Sequence, residues 1–160
     1  MIRDCQKNVG YARSIKMEKK GVSALIYDNA GTYYFLIVHR TREWQGWEFP
    51  KYSLEYDQEL TEEQEKEMLL SLLENSYGLK KYKVLGKLIE QRKFMEGDKS
   101  HAFTVFVVEA LMNIPVNLTS EKHDTYLWAK YDTVKEKLTW ESERELFEKA
   151  YESLKNNNNH

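Results

Sequence analysis

Two runs of apolar and aromatic residues near the start of the chain constrain its fold most. The first run, VSALIY, begins at Val22, and the second, YYFLIVH, begins at Tyr33. The segment between them, Asp28-Asn29-Ala30-Gly31, contains residue types that favour tight turns. Runs of this length and composition are typical of strands, and their nearly continuous apolar character favours burial. The sequence therefore predicts a hairpin of two largely buried strands.

A helix is predicted after this hairpin, beyond an aromatic loop at 44–51 and a polar stretch. Thr61 can cap its amino end, and Gln64 is correctly spaced to complete a capping box. Gly78 suits the residue that follows a helix, because glycine tolerates a positive φ. We expect the helix to run to about Tyr77. Its apolar stripe consists of Leu69, Leu72, Leu73 and Tyr77.

The second half of the chain predicts two long strands, KVLGKLIEQRKF and HAFTVFVVEAL, joined by a turn at 96–98. A short strand around 126–128, a short helix at 132–137 and a final amphipathic helix at about 141–154 follow. We expect residues 1–20 to form an arm, residues 21–155 to form one domain, and residues 156–160 to be a disordered polar tail.

Composition and charge exclude several classes of function. The 160 residues are 41% hydrophobic, which suffices for one domain with its own core. Twenty-four basic and 26 acidic side chains give a net charge of −2, so no global field would hold the chain to nucleic acid or a membrane. The lone Cys5 has no disulfide partner, and the amino terminus lacks the apolar run of a signal peptide. We therefore expect a cytoplasmic protein that does not insert into membranes.

Three short motifs carry a resemblance to a known family. Residues 47–51 read W-E-F-P-K, residues 123–128 read H-D-T-Y-L-W, and residues 138–141 read L-T-W-E. In this order and spacing the chain resembles the Nudix hydrolases over roughly residues 21–154, and it looks most similar to the branch that cleaves diadenosine tetraphosphate. The resemblance implies an α/β fold in which a mixed β-sheet is sandwiched between helices, an α/β/α arrangement.

The same resemblance exposes a difference at the metal-binding helix. The family signature, G-x5-E-x7-R-E-U-x-E-E-x-G-U, places several glutamates on one helix face, where they bind Mg²⁺ or Mn²⁺. With its end anchored on Gly78-Leu79, the R-E pair falls on Ser71-Leu72 and the E-E pair falls on Asn75-Ser76. We therefore expect no metal site of the usual kind and no confident cofactor, with Mg²⁺ or Mn²⁺ required only if the protein is active.

Two other carboxylates are weak catalytic candidates. Glu55 keeps the position of the first signature glutamate after the W-E-F-P-K motif. Successive side chains of an α-helix are rotated by ~100°, so their directions around the helix can be measured from Glu63. The lost metal-binding positions, 72, 75 and 76, point near ~170°. Glu65 points near ~200°, but it lies about two helical turns before these positions. On the same scale the remaining glutamates of this helix centre near ~20° and face away. No confident catalytic residue emerges.

Five residues are candidates for substrate binding. Arg40 and Lys51 match positions of the family pattern from which a cation can contact phosphate, and His101 lies where many of that branch carry lysine. Tyr52 and Tyr126 are candidates for stacking on a nucleobase. The alternatives are a surface role for the cations and a core role for the tyrosines.

Three functions remain open from the sequence. The first is a binding module for a nucleotide, a dinucleoside polyphosphate or an RNA end, with lost or much reduced pyrophosphohydrolase activity. The second is an active hydrolase that uses non-standard carboxylates such as Glu55 or Glu65. The third is a scaffold that binds RNA or a protein partner.

Overall fold

The computed structural model describes residues 18–158, which form one mixed sheet of eight strands with helices on both faces. Of the predicted arm at 1–20, residues 1–17, including Cys5, lie outside the described residues, as do residues 159–160, whereas residues 18–20 belong to the first strand and not to an arm. The strands are β1 (Glu18–Asn29), β2 (Tyr33–Arg40), β3 (Gly46–Glu48), β4 (Lys51–Tyr56), β5 (Tyr82–Lys87), β6 (Arg92–Glu96), β7 (Lys99–Ala110) and β8 (His123–Ala129). The helices are α1 (Glu62–Leu70), which continues as a π-helical segment (Ser71–Ser76), α2 (Tyr131–Lys137) and α3 (Glu141–Asn158).

Strand β1 organises the sheet. It pairs in parallel with β7 from Lys19 to Tyr27, and this pair forms the centre of the order β3-β2-β1-β7-β5. On its other side β1 changes partner, pairing first with β4 and then, through the predicted hairpin, with β2. Gly21 permits the close approach of β4, because a Cβ atom there would lie 2.0 Å from the carbonyl oxygen of Tyr52. Strand β6 pairs with β7, and β8 pairs with β2.

Both faces of the sheet are buried, which confirms the expected α/β/α arrangement. On β1, Ala24 and Ile26 belong to a core cluster that includes Leu69 and Leu73 of the first helix. The alternate residue Leu25 belongs to a second cluster, which includes Phe147 of α3. Since successive side chains of a strand point to opposite faces, nearly continuous apolar runs are what a sheet covered on both sides requires.

The first helix begins as predicted but changes its geometry. The Thr61 side chain accepts a hydrogen bond from the Gln64 backbone amide at 3.1 Å, and the Thr61 amide donates to the Gln64 side chain at 2.8 Å, so the capping box is confirmed. From Ser71 to Ser76 the helix is π-helical. A π-turn holds more residues than an α-turn, so the ~100° spacing does not give side-chain directions in this segment. Gly78 follows with φ 64°, as expected of the residue after a helix.

Three other predictions about the secondary structure are wrong. The single long strand at 83–94 is two strands, β5 and β6, and a register shift between Val84 and Gly86 interrupts the first. The polar stretch after Pro50 contains β4, because pairing with β1 stabilises an extended conformation that its composition did not indicate. Helix α3 continues to Asn158, so residues 156–158 are helical and do not belong to a disordered tail.

The helices of residues 18–158 are all too short or too polar to span a membrane.

Candidate functional site

A cleft of about 450 Å³ opens where the first helix, the start of α3 and several strand ends meet. Its volume falls within the range of about 300–1,000 Å³ that is usual for small-molecule sites. Five Lys or Arg side chains, two His and three Glu line it. The basic residues are Lys19, Arg40, Lys51, Arg92 and Lys122, with His101 and His123; the acidic residues are Glu43, Glu96 and Glu141. The wall is therefore rich in groups that can bind an anion.

A buried carboxylate holds part of this cationic wall in place. Glu48, on β3, has no exposed surface. Its oxygens lie 2.8 Å from Nε2 of His123, 2.9 Å from Nζ of Lys51 and 3.3 Å from Nη1 of Arg40. Burial alone would raise the pKa of Glu48, but the hydrogen bond with His123 and the charge of Lys51 lower it to about 2. The carboxylate is therefore ionised and fixes three side chains that line the cleft.

The loop between β2 and β3 folds over these cations. The Trp44 ring lies 5.1 Å from the guanidinium carbon of Arg40 and 5.8 Å from Nζ of Lys51. The same ring contacts Trp140 edge-on, with centroids 5.1 Å apart. Glu43, the residue before Trp44, has φ 74°, a conformation that side-chain-bearing residues seldom adopt. Its carboxylate pairs with Arg40 and lies 3.9 Å from Nζ of Lys122, so this loop already places an anion against two cations of the cleft.

Aromatic side chains form another part of the wall. The Phe94 and His101 rings stack with centroids 4.5 Å apart and planes 9° apart, and Phe103 lies beyond them. Burial lowers the pKa of His101, with the charge of Lys51 acting in the same direction and Glu96, 3.0 Å away, opposing it. A lowered pKa favours the neutral ring at pH 7, so His101 contributes a flat polar surface more than a charge.

The helix that enters the cleft presents few groups that could bind a metal. Leu72, Ser76 and Tyr77 line the cavity, and Leu72 and Tyr77 are almost fully buried. A resident Mg²⁺ or Mn²⁺ needs several oxygen ligands, usually with carboxylates among them. Within residues 18–158, no group of three or more His, Cys, Asp or Glu side chains is arranged to hold a metal ion. The donors present therefore do not fit a resident divalent cation.

Four of the five predicted substrate-binding residues lie in the cleft: Arg40, Lys51, Tyr52 and His101. The position of Tyr126 contradicts the prediction for this residue. Its ring packs beside the core cluster under the first helix, and its hydroxyl accepts a hydrogen bond from the Val116 amide at 3.4 Å. Tyr126 pairs with Val38, whose side chain belongs to that cluster, so the ring packs in the core and does not line the cleft.

Both weak catalytic candidates lie outside the cleft lining. Glu55 is exposed on β4 and pairs with Lys99. Glu65 is buried in α1, where it accepts a hydrogen bond from Thr104 and lies 3.3 Å from Nζ of Lys87. Neither carboxylate can contact a ligand in the cleft as the side chains now stand, because each is held by partners elsewhere.

Several cleft residues were missed in the sequence reading, among them Lys19, Trp44, Arg92, Lys122 and Trp140. Lys122 directly precedes the H-D-T-Y-L-W motif and Trp140 belongs to the L-T-W-E motif, so these motifs were an available signal. Arg92 offered no such signal, because its strand shows no motif. Its position in the cleft depends on how β6 pairs with β7.

Comparison with known proteins shows the fold. No model of a known protein family and no curated protein sequence matches the chain. A C. elegans Ap4A hydrolase in a binary complex is structurally similar, with a TM-score of 0.70 at 15% identity over 88% of this chain and 99% of that one. A MutT protein from Methanosarcina mazei gives a TM-score of 0.64 at 20% identity over 87% and 95% of the two chains.

A third similar structure is the Nudix domain of Shewanella oneidensis NrtR in complex with ADP ribose, with a TM-score of 0.63 at 12% identity over 92% of this chain and 94% of that one. The similar structures are covered almost entirely, so the likeness extends over most of this chain. Residues 18–158 therefore have the fold of the Nudix hydrolases.

Proposed function

We propose that the cleft binds a nucleoside polyphosphate or a dinucleoside polyphosphate, and that metal-dependent pyrophosphate hydrolysis is lost or much reduced. One observation carries the proposal. Five lysine and arginine side chains line the cavity, whereas the helix that enters it contributes Leu72, Ser76 and Tyr77 in place of carboxylates. A site of this kind attracts a polyphosphate without offering ligands for the metal that would activate water.

The distribution of charge supports an anionic ligand. Glu48 offsets part of the charge of Arg40, Lys51 and His123, yet it is fully buried beneath them and presents nothing to the cavity. Lys122 is half-exposed at the cavity wall, where its only near carboxylate among the described residues is Glu43 at 3.9 Å. Cations held at fixed positions in this way bind phosphate oxygens at a low cost in side-chain entropy.

The aromatic side chains support a nucleoside portion. Trp44 and Trp140 meet edge-on, and Trp140 remains 38% exposed at the cavity wall. Tyr52 is 41% exposed on the β4 side of the same cavity. Exposed aromatic rings beside cations provide surfaces on which a base can stack while its phosphates contact the cations. The names of two similar structures, an Ap4A hydrolase and an ADP-ribose complex, indicate ligands of this chemical class.

Calorimetric titration tests the binding. Purified protein is titrated with ATP, diadenosine tetraphosphate and ADP-ribose, once with Mg²⁺ and once with EDTA, and nucleotide cleavage products are followed in parallel by chromatography. We expect at least one ligand to bind with similar affinity in both buffers, and product formation to stay at the buffer blank. Lys122→Gln should weaken binding several-fold, since it removes one phosphate contact.

The matched control is Lys66→Gln, which removes an exposed lysine of α1 that does not line the cleft, and which should leave affinity unchanged. Mg²⁺-dependent formation of nucleotide cleavage products above the blank would establish an active hydrolase, and its loss in Glu55→Gln or Glu65→Gln would identify the carboxylate. Absence of binding by all three ligands would favour a scaffold that binds RNA or a protein partner.

A further inference from the structure

Arg92 is a buried cation whose hydrogen bonds are incomplete. Its side chain is 2% exposed and lines the cleft from the start of β6. Nε donates to Oγ of Ser142 at 3.2 Å. Within residues 18–158 neither Nη1 nor Nη2 has a hydrogen-bond partner, and the carboxylate of Glu143 stands 3.6 Å from Nη1. Burying a guanidinium with two nitrogens that lack acceptors costs free energy, so a ligand that supplies acceptors for these nitrogens would be stabilised here.

The guanidinium is held in a fixed plane. Its central carbon lies 4.3 Å from the centroid of Phe94, and the bond from Nε to Ser142 fixes its other edge. The two Nη atoms of an arginine form a planar fork that matches two oxygens of one phosphoryl or carboxylate group. Because Phe94 is packed between Arg92 and His101, this ring is not open for stacking a base.

The amino end of α3 lies at the same place. Glu141 and Ser142, in its first turn, line the cleft beside Arg92. The Arg144 amide is bonded to the Trp140 carbonyl at 3.1 Å, so the amides of residues 141–143 precede the first bond within this 18-residue helix. Free amides and the helix dipole both favour an anion at such an end.

Of the two carboxylates of this turn, one is engaged elsewhere and the other is shared between Arg92 and a backbone amide. Glu141 pairs with Nη1 of Arg144 at 2.6 Å. Glu143 accepts a hydrogen bond from the Phe49 amide at 3.1 Å. Burial raises the pKa of Glu143, against the lowering influence of Arg92.

We propose that Arg92 and the amino end of α3 form an oxyanion subsite of the cleft, which binds one phosphoryl group of the ligand. The inference rests on the proposed function and deepens it, because it assigns one phosphate of the ligand to a specific pair of elements. Since the guanidinium is covered by its neighbours, a side chain next to it has to shift when the phosphoryl group binds.

The experiment combines nuclear magnetic resonance with calorimetry. The Nε–Hε resonance of Arg92, assigned with Arg92→Lys, is followed while pyrophosphate or ATP is added to the wild-type protein. Affinities are measured for the wild type, Arg92→Lys and Arg92→Gln. We expect the resonance to shift with both ligands, Arg92→Gln to weaken both affinities roughly tenfold to hundredfold, and Arg92→Lys to recover part of the loss.

The matched control is Lys93→Gln, which removes the adjacent cation on the exposed face of the same strand and should change affinity less than about twofold. Wild-type resonance data decide the question if Arg92→Gln fails to fold. If ATP binds while the Arg92 resonance stays unmoved, this inference is wrong and the proposed function stands. If pyrophosphate moves the resonance but no nucleotide binds, the subsite stands and the proposed function is wrong. If neither ligand binds, both are wrong.

Discussion

The carboxylate of Glu48 lies 2.8 Å from Nε2 of His123, beneath the floor of the cleft, and both side chains are almost entirely buried. The same carboxylate contacts Lys51 and Arg40, so one buried anion holds side chains of three strands, β2, β4 and β8, at the wall of the cleft. Removing a single member of such a group leaves buried charges without a counter-charge.

Glu48→Gln should therefore lower the free energy of unfolding by about 3 kcal/mol, because Lys51 and Arg40 lose their shared partner. Urea denaturation at pH 7 measures the change. Glu121→Gln is the matched control, since it removes an exposed carboxylate that pairs with Arg42, and its effect should stay below about 1 kcal/mol. Equal stability of the two variants would contradict the structural role of Glu48.

Acid should destabilise the protein through the same residue. The pKa of Glu48 is lowered from 4.5 to about 2, so its contribution is complete above pH 4.5 and is lost as the pH falls toward 2. A difference of this size corresponds to about 3 kcal/mol. The stability gap between wild type and Glu48→Gln should therefore narrow on acidification from pH 5 to 3. The raised pKa of Glu143 changes stability with pH in the opposite direction, but it does so in both proteins and does not account for a change in the gap between them. A gap that does not depend on pH would therefore contradict the role of Glu48.

Glu43→Gln should strengthen the binding of a polyphosphate roughly threefold to tenfold, because it frees Arg40 and Lys122 from a carboxylate that competes with phosphate. Calorimetric titration with ATP measures the change. Glu121→Gln again serves as the control, because it makes the same change of charge on a residue outside the cleft lining. Weaker binding by Glu43→Gln would indicate that Glu43 holds the loop in the conformation that binds the ligand.

Tryptophan fluorescence should report ligand binding through two of the four tryptophans. Trp44 and Trp140 line the cleft, whereas Trp47 and Trp128 pack beside the two core clusters. A base that stacks on a cleft tryptophan should quench its emission. Trp44→Phe combined with Trp140→Phe should abolish the change that ATP produces, and Trp47→Phe should preserve it. Quenching that survives in the double variant would place the base elsewhere.

The sequence by itself determined much of the fold, because the decisive signals are local. The capping box at Thr61 and Gln64, the turn between β1 and β2, and the positive φ of Gly78 each depend on residues close together in the chain. The nearly continuous apolar runs of β1 and β2 also required a sheet covered on both faces. Two of the strands missed or merged in the sequence reading, β4 and β5, pair with partners that lie far along the chain.

Only the tertiary structure decided which side chains face the cleft. Tyr126 and His123 belong to one motif, yet Tyr126 pairs with Val38 and packs in the core, while His123 pairs with Arg40 at the end of β2 and reaches Glu48 below the cleft. Arg92 follows no motif, and pairing with β7 brings it to the amino end of α3. The physical reason is that a shift of one residue in strand pairing exchanges the two faces of a strand, and pairing between distant segments is fixed only when the whole core packs.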